Sequence, residues 1–204
     1  MKNAWYIILL VLQFSTYAQT ALLEHKVVLT ESRFVLDGTT NVNTFTCKLI
    51  QGYGQKPVNV ITTSRSNNIV FEGLAFQYPV ETFNCGLEAM NQDLHQTLNA
   101  DSYPMFGLKI KEIIIKEQAQ EVERLFVLAH VVITLAGVSR EITITDGQVI
   151  NHTARSLTLS GSQLLKLPDF GLKAPTKFFG MIKVDETLSV HFQLDMEVDT
   201  LQEN

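Results

Sequence analysis

The chain has 204 residues, a hydrophobic content of 46% and a formal net charge of −5. The hydrophobic content favours a folded core over disorder, and the length is compatible with one domain, since all-β barrels of this size are often undivided. The negative charge argues against a nucleic-acid-binding protein, because no basic stripe is available to neutralise phosphates.

Residues 1–18 have the pattern of a secretory signal peptide. Lys2 supplies the positive charge, residues 5–12 form the apolar segment, and small residues precede a predicted cleavage site after Ala18. The alternative is a membrane anchor, but the apolar segment is much shorter than the about 20 residues that span a bilayer. We therefore predict a cleaved signal peptide and a single mature domain, residues 19–204, that is periplasmic or secreted and has no membrane span.

Two cysteines, Cys47 and Cys85, both lie in the predicted mature part. In an oxidising compartment, two thiols with no third candidate usually pair. The alternatives are two buried free thiols or a catalytic cysteine, and the sequence has no C-x-x-C motif to favour the latter. Export therefore favours a Cys47–Cys85 disulfide.

Most of the mature chain has the period-2 pattern of β-strands. The last strand is the clearest, because apolar residues alternate with polar ones from residue 188 to residue 198. A strand in a barrel wall has one buried face and one solvent-exposed face, as this pattern predicts. Strand-like segments lie at residues 26–30, 33–36, 43–49, 58–62, 69–80, 106–116, 125–135, 154–160 and 188–198.

One amphipathic helix is predicted near residues 86–98. Leu87, Met90, Leu94 and Leu98 follow helical spacing and form one apolar stripe, and Asn84 is the predicted cap residue. Residues 125–135 are apolar on both faces of their strand, so we expect this strand to be covered on both sides. The helix is the obvious cover for its outer face.

Residues 130–144 predict an antiparallel hairpin that turns at Gly137-Val138-Ser139-Arg140. This hairpin resembles one near the middle of the YceI-like family, which has the form L-T-I-x-G-x-S/T-R-x-I-x-L. Weaker similarities follow in the family's order, at residues 36–47, 100–106, 168–172 and 188–198. The two cysteines are not general to the family and match a branch in which a disulfide ties the second strand to the helix start.

The resemblance implies an all-β, lipocalin-like antiparallel barrel of about eight strands with one helix. It also implies an apolar tunnel that holds an isoprenoid or quinone-like lipid. We therefore expect an exported, non-catalytic lipid-binding protein without a cofactor. The residues expected to line the tunnel are Phe45, Phe76, Tyr78, Phe126, His130, Val190, Phe192 and Leu194.

A second hypothesis is a solid barrel that acts through its surface as a structural or interaction protein of the cell envelope. The sequence does not separate the two hypotheses, because a tunnel lining and a plain core both need apolar residues at period 2. Cavity volume is the observation that discriminates between them. The oligomeric state is left open, and a homodimer is compatible with the sequence.

The sequence contains no recognisable catalytic or metal-binding motif. Five histidines show no H-x-H or H-x-x-x-H spacing, and no G-x-S-x-G motif occurs. His130 either contacts a ligand headgroup or is satisfied by backbone, and the second interpretation is favoured. Segments with a simple structural interpretation are the Gly52-Tyr53-Gly54 loop, the acidic residues Glu117, Glu121 and Glu123, and the glycosylation-like Asn151-His152-Thr153.

Overall fold

A computed structural model describes residues 21–52, 56–119, 124–150, 153, 155–177, 179 and 181–201. The predicted signal peptide and its cleavage site after Ala18 lie outside these residues, as do Tyr53, Gly54, Glu121, Glu123, Asn151 and His152. The described strands are β1 (Ala21–Thr39), β2 (Thr44–Gly52), β3 (Val58–Arg65), β4 (Asn68–Glu72), β5 (Ala75–Pro79), β6 (Met105–Ala119), β7 (Arg124–Leu135), β8 (Val138–Ile150), β9 (Ser156–Lys166), β10 (Thr176–Lys177), β11 (Ile182–Lys183) and β12 (Thr187–Leu201).

Helical structure in the described part of the chain is limited to three segments. These are the α-helix α1 (Glu88–Thr97) and two 3₁₀ turns, Val80–Thr82 and Leu167–Phe170. No described helix has the length and hydropathy of a segment that crosses a membrane.

Eight of the described strands form a closed antiparallel ring. Its order is β1-β3-β4-β6-β7-β8-β9-β12, and β12 pairs back to β1 along most of both strands. Closure leaves no open edge around the ring, which is how small antiparallel barrels avoid edge-to-edge association. The predicted eight-stranded barrel is confirmed.

The ring is extended at one end by β2 and β5. Residues 21–27 of β1 pair with β3, and residues 31–39 of the same strand pair with β2. Likewise, β6 pairs with β4 through residues 112–114 and with β5 through residues 105–109. The segments predicted as separate strands at 26–30 and 33–36 are therefore one strand, with a register irregularity between Leu29 and Glu31.

Alternation places the core as predicted along β12. Leu188, Val190, Leu194 and Met196 are buried, and the polar residues between them lie on the outer face. The buried side chains of the ring strands form one apolar core inside the barrel, to which β4 contributes the partly buried Phe71.

The two apolar faces of β7 are not both covered. Val127, Ala129 and Val131 are buried inside the ring, whereas Phe126 on the other face is 36% exposed. The prediction that helix α1 lies over this outer face is wrong. A sequence pattern with two apolar faces does not show which face points inward, and the inward face here carries the smaller side chains.

The predicted hairpin is present as β7 and β8, joined by a two-residue turn. The turn is Ala136-Gly137, and Leu135 pairs with Val138. The sequence predicts a turn at residues 137–140, of which 138–140 belong to β8. Both turn residues have positive φ, 47° at Ala136 and 77° at Gly137. Two positive φ angles match the twist of the flanking strands and favour glycine.

Gly137→Ala is expected to lower the free energy of unfolding by about 2 kcal/mol. A Cβ at this position would lie 2.5 Å from Cε1 of Tyr103. Because Tyr103 is partly exposed, movement of its ring relieves only part of this clash. Gly171→Ala is the matched control, because Gly171 has φ 72° and no atom within 4 Å of a built Cβ. Urea unfolding of both variants separates backbone strain from the clash, and equal losses would show that Tyr103 contributes nothing.

Candidate functional site

Helix α1 lies across the end of the barrel that β2 and β5 extend. Leu98, just after the helix, is buried, and Leu94 packs against the core. The predicted helix is confirmed, but its predicted cap is wrong. The N-cap is Leu87, which has no side-chain cap bond, while Oδ1 of Asn84 accepts a hydrogen bond from the Gly86 amide at 2.7 Å.

A cleft opens between this helix, the first half of β2 and the β10–β11 hairpin. Its volume is about 520 Å³. Apolar side chains from all three elements form most of its walls, and polar residues such as Asp93 and Lys177 form the rest. Its apolar lining residues include Leu36, Phe45, Leu87, Met90, Leu94, Leu167, Ile182 and Leu188.

A second cavity lies directly inward of the cleft. This inner cavity has a volume of about 70 Å³, and it shares Leu36, Leu94, Leu167 and Leu188 with the cleft. Leucine, phenylalanine, valine, isoleucine and glycine form its whole lining. The cleft therefore has both polar and apolar lining residues and the inner cavity only apolar ones, which suits a ligand with an apolar body.

The hairpin wall of the cleft is fixed by polar contacts at both sides. Nζ of Lys177 lies 2.5 Å from Oδ1 of Asp93 on the helix. Nδ2 of Asn41 donates to the carbonyl oxygen of Met181 at 2.8 Å, and the Lys183 amide donates to Oδ1 of Asn41 at 2.9 Å. The Asn41 amide also donates to the carbonyl oxygen of Lys183 at 3.1 Å, so the hairpin is connected both to the helix and to the β1–β2 turn.

The wall opposite the hairpin contains the Cys47–Cys85 disulfide. Lys48 and Asn84, beside the two cysteines, exchange backbone hydrogen bonds of 2.8 Å each. The Cys85 amide also donates to Oδ1 of Asn91 in the helix at 2.7 Å. The disulfide therefore holds the start of the helix against β2, and both cysteines line the cleft.

An aromatic cluster closes the inner end of the pocket. Tyr78 and Phe106 stack with centroids 4.8 Å apart, and Phe34 packs edge-on to both rings. Phe83 lies 5.7 Å from Phe106. Burial raises the pKa of the Tyr78 phenol far above its usual value, and the neighbouring Ser32 hydroxyl offsets part of that rise. Tyr78 therefore stays neutral across the physiological range.

Two of the predicted lining residues do line the pocket. Phe45 lies on the wall of the cleft, and Val190 lies on the wall of the inner cavity. Phe192 is half-buried on the inner face of β12, where its ring packs against Gly161.

The other predicted lining residues lie elsewhere. Tyr78 and Leu194 have no accessible surface, so no water-sized space adjoins them, and Phe76 is packed in the same core. Phe126 and His130 are on the outer face of β7, away from both cavities of the pocket. None of these five positions lines the pocket: Phe76, Tyr78 and Leu194 are packed in the middle of the barrel, and the other two lie outside it.

Sequence reasoning missed the residues that build the cleft. Met90 and Leu94 come from the helix stripe, which was expected to cover a strand rather than face an opening. Ile182 comes from a hairpin too short to show a strand pattern. The stripe itself was the available signal, since a helix packed on a barrel end presents its apolar face to the interior.

A larger groove of about 810 Å³ lies on the outside of the barrel, beside His130. Its walls are charged: Nζ of Lys111 lies 2.7 Å from Oε1 of Glu141, and Nε2 of His130 lies 3.7 Å from Oε2 of Glu112. The bond from Lys111 lowers the pKa of Glu141. Among the described residues, no group of three or more His, Cys, Asp or Glu side chains could hold a metal ion. These charged side chains, beside apolar ones such as Phe71 and Ile142, suit a wholly apolar ligand less well than the cleft does.

Comparison with known proteins gives likeness in structure but not in sequence. No protein-family model and no curated protein matches the chain. A polyisoprenoid binding domain from Saccharophagus degradans, implicated in plant cell wall breakdown, matches with a TM-score of 0.53 and 15% identity, covering 87% of this chain and 99% of that one.

Two further structures are similar at lower scores. Burkholderia cenocepacia BcnA gives a TM-score of 0.48 and 15% identity, covering 83% of this chain and 96% of its own. A Campylobacter jejuni YCEI protein gives 0.44 and 18%, covering 65% of this chain and 74% of its own. At these identities the likeness concerns the fold alone. The closed ring of eight strands and the match to the polyisoprenoid binding domain show that the chain has the barrel fold of that domain, and the antiparallel barrel that the sequence resemblance implied is confirmed.

Proposed function

We propose that this chain is an exported, non-catalytic protein that holds one apolar lipid of the isoprenoid or quinone-like class. The site is the cleft beside helix α1 together with the inner cavity. The observation that carries the proposal is an apolar cleft adjoined by a wholly apolar cavity, with Leu36, Leu94, Leu167 and Leu188 lining both. The cleft volume of about 520 Å³ lies within the about 300–1,000 Å³ of typical small-molecule sites.

The chemistry of the walls favours a lipid over a polar metabolite. The inner cavity offers no charged or polar side chain to pair with a buried polar group, and an unpaired polar group there would be costly. Each methylene buried instead contributes about 0.8 kcal/mol. The polar end of the ligand would remain at the opening, near Asp93 and Lys177.

The compartment is part of the proposal. The Cys47–Cys85 disulfide suits an oxidising environment such as the periplasm or the extracellular space. This agrees with the signal peptide predicted for residues 1–18. The ligand of the Saccharophagus degradans domain, a polyisoprenoid by its description, is an apolar chain of the kind that the pocket walls suit.

A surface-acting barrel without a lipid remains the second candidate. The observation that favours it is the filled middle of the ring, where Tyr78 and Leu194 have no accessible surface. A tunnel through the whole barrel is therefore absent at these positions, and the lipid proposal depends on the cleft end alone. The two candidates differ in whether the cleft takes up an apolar chain.

Met90→Lys is expected to lower uptake of radiolabelled geranylgeraniol by roughly tenfold or more, because a lysine ammonium replaces an apolar wall group of the cleft. Met90 is half-buried on the cleft side of α1. Gln92→Lys is the matched control, since Gln92 is an exposed residue of the same helix and receives the same charge. Equal uptake by the two variants, or none by the unmodified protein, would contradict the proposal.

A further inference from the structure

Large apolar side chains are exposed around the opening of the cleft. We call Val42, Leu87, Phe179 and Met181 the rim patch, and their exposed fractions lie between 63% and 108%. Leu87 is the N-cap of α1, Val42 is in the β1–β2 turn, and the other two lie between β10 and β11. Single exposed apolar residues need no explanation, but a group around one opening does.

Contacts already described place these residues on one side of the molecule. Leu87 lines the cleft itself, as does Ile182, which follows Met181. The carbonyl oxygen of Met181 accepts the 2.8 Å hydrogen bond from Asn41, the residue before Val42. Leu87 of the rim patch therefore lines the cleft, and its other three residues lie on the turn and the hairpin that form two of the cleft walls.

Phe179 has a conformation that its own contacts do not explain. Its φ is 56°, in the left-handed region that favours glycine, and its side chain is 108% exposed. A bulky residue at positive φ is strained, and such strain is often found at functional sites. The strained backbone here exposes an aromatic ring on the hairpin that forms one wall of the cleft.

We propose that the rim patch docks the protein on the surface of a lipid bilayer, so that the cleft opens toward the acyl chains. This inference rests on the proposed lipid-binding function. A lipid tail that moved between bilayer and cleft through water would expose its methylenes, and docking at the opening avoids that exposure. Aromatic and apolar side chains at the tips of short segments are suited to insertion at this depth.

The charges near the rim support apolar insertion over attraction to anionic headgroups. Lys177 is paired with Asp93, so its charge is largely neutralised. Lys183 is exposed, but two exposed acidic residues, Asp185 and Glu186, follow it closely in the sequence. The expected docking therefore occurs on neutral vesicles and does not require anionic lipid.

The test is flotation of the protein with phosphatidylcholine vesicles. The double variant Phe179→Ser, Met181→Ser is expected to bind at least about tenfold more weakly than the unmodified protein, because it loses two inserting side chains. Leu22→Ser is the control, since Leu22 is 66% exposed but lies at the opposite end of β1 from the rim. Equal binding by the double variant, or an equal loss in the control, would overturn the inference.

Two further measurements separate this inference from the function on which it rests. Uptake of geranylgeraniol added from an ethanol solution tests the pocket alone. Light scattering during size-exclusion chromatography measures the mass of the protein in solution. Uptake without vesicle binding overturns docking and leaves the lipid proposal standing. Vesicle binding that depends on the rim patch, without uptake, supports docking and overturns the lipid proposal. A dimer that the double variant converts to a monomer, with no vesicle binding, also overturns docking.

Discussion

Phe106→Ala should lower the free energy of unfolding by about 3–5 kcal/mol. Phe106 is buried between Tyr78, Phe34 and Phe83, with ring centroids 4.8, 5.2 and 5.7 Å away. The substitution removes a large buried side chain and also the aromatic contacts that add to its burial. Because Phe106 already lines the inner cavity, the space left behind would join that cavity.

Phe126→Ala is the matched control for this substitution. Phe126 is also a phenylalanine on a ring strand, but its side chain lies on the outer face and is 36% exposed. We expect it to cost about 1 kcal/mol or less. Urea unfolding at one temperature compares the two variants, and similar losses would contradict the placement of Phe106 inside and Phe126 outside the barrel.

Removal of the disulfide is expected to lower the free energy of unfolding by about 3–4 kcal/mol. The bridge closes a loop of 38 residues, and without it the unfolded chain gains conformational freedom. The change to make is Cys47→Ala together with Cys85→Ala, because Cys47 is buried and a serine hydroxyl there would lack hydrogen-bond partners.

The same substitution should loosen the wall of the cleft. The bridge holds Asn84 and Lys48 together beside the helix start, so their backbone amides are expected to exchange hydrogen faster once it is absent. Reduced unmodified protein is the control and should unfold at the same urea concentration as the double variant. A decrease of less than 1 kcal/mol in the free energy of unfolding, or unchanged hydrogen exchange at both amides, would contradict this role of the disulfide.

The fold was predictable because alternation along single strands is a local signal. The pattern of Leu188, Val190, Leu194 and Met196 identifies the inner face of β12 without knowledge of its neighbours. The β7–β8 hairpin was also predictable, since Gly137 allows the positive φ that its turn requires. No single strand shows that the ring closes. Closure was predicted instead from the order of the weaker family-like segments along the chain.

The site was only partly predictable, because packing decides which apolar residues adjoin a cavity. Tyr78 and Phe45 both lie on apolar faces, yet the first is fully enclosed by aromatic rings and the second lines the cleft. Phe126 and His130 were misplaced because both faces of β7 carry apolar residues. The β10–β11 hairpin has two residues in each strand, too few to give a periodic pattern.

The central claim is that the cleft beside α1 holds an apolar lipid. The most direct measurement is mass spectrometry of an organic extract from the purified protein, produced with export to an oxidising compartment. We predict an isoprenoid or quinone-like species in about one-to-one ratio with the chain, and a large reduction of that species in extracts of the Met90→Lys variant. A clean extract from folded protein that also takes up no added isoprenoid would contradict the claim.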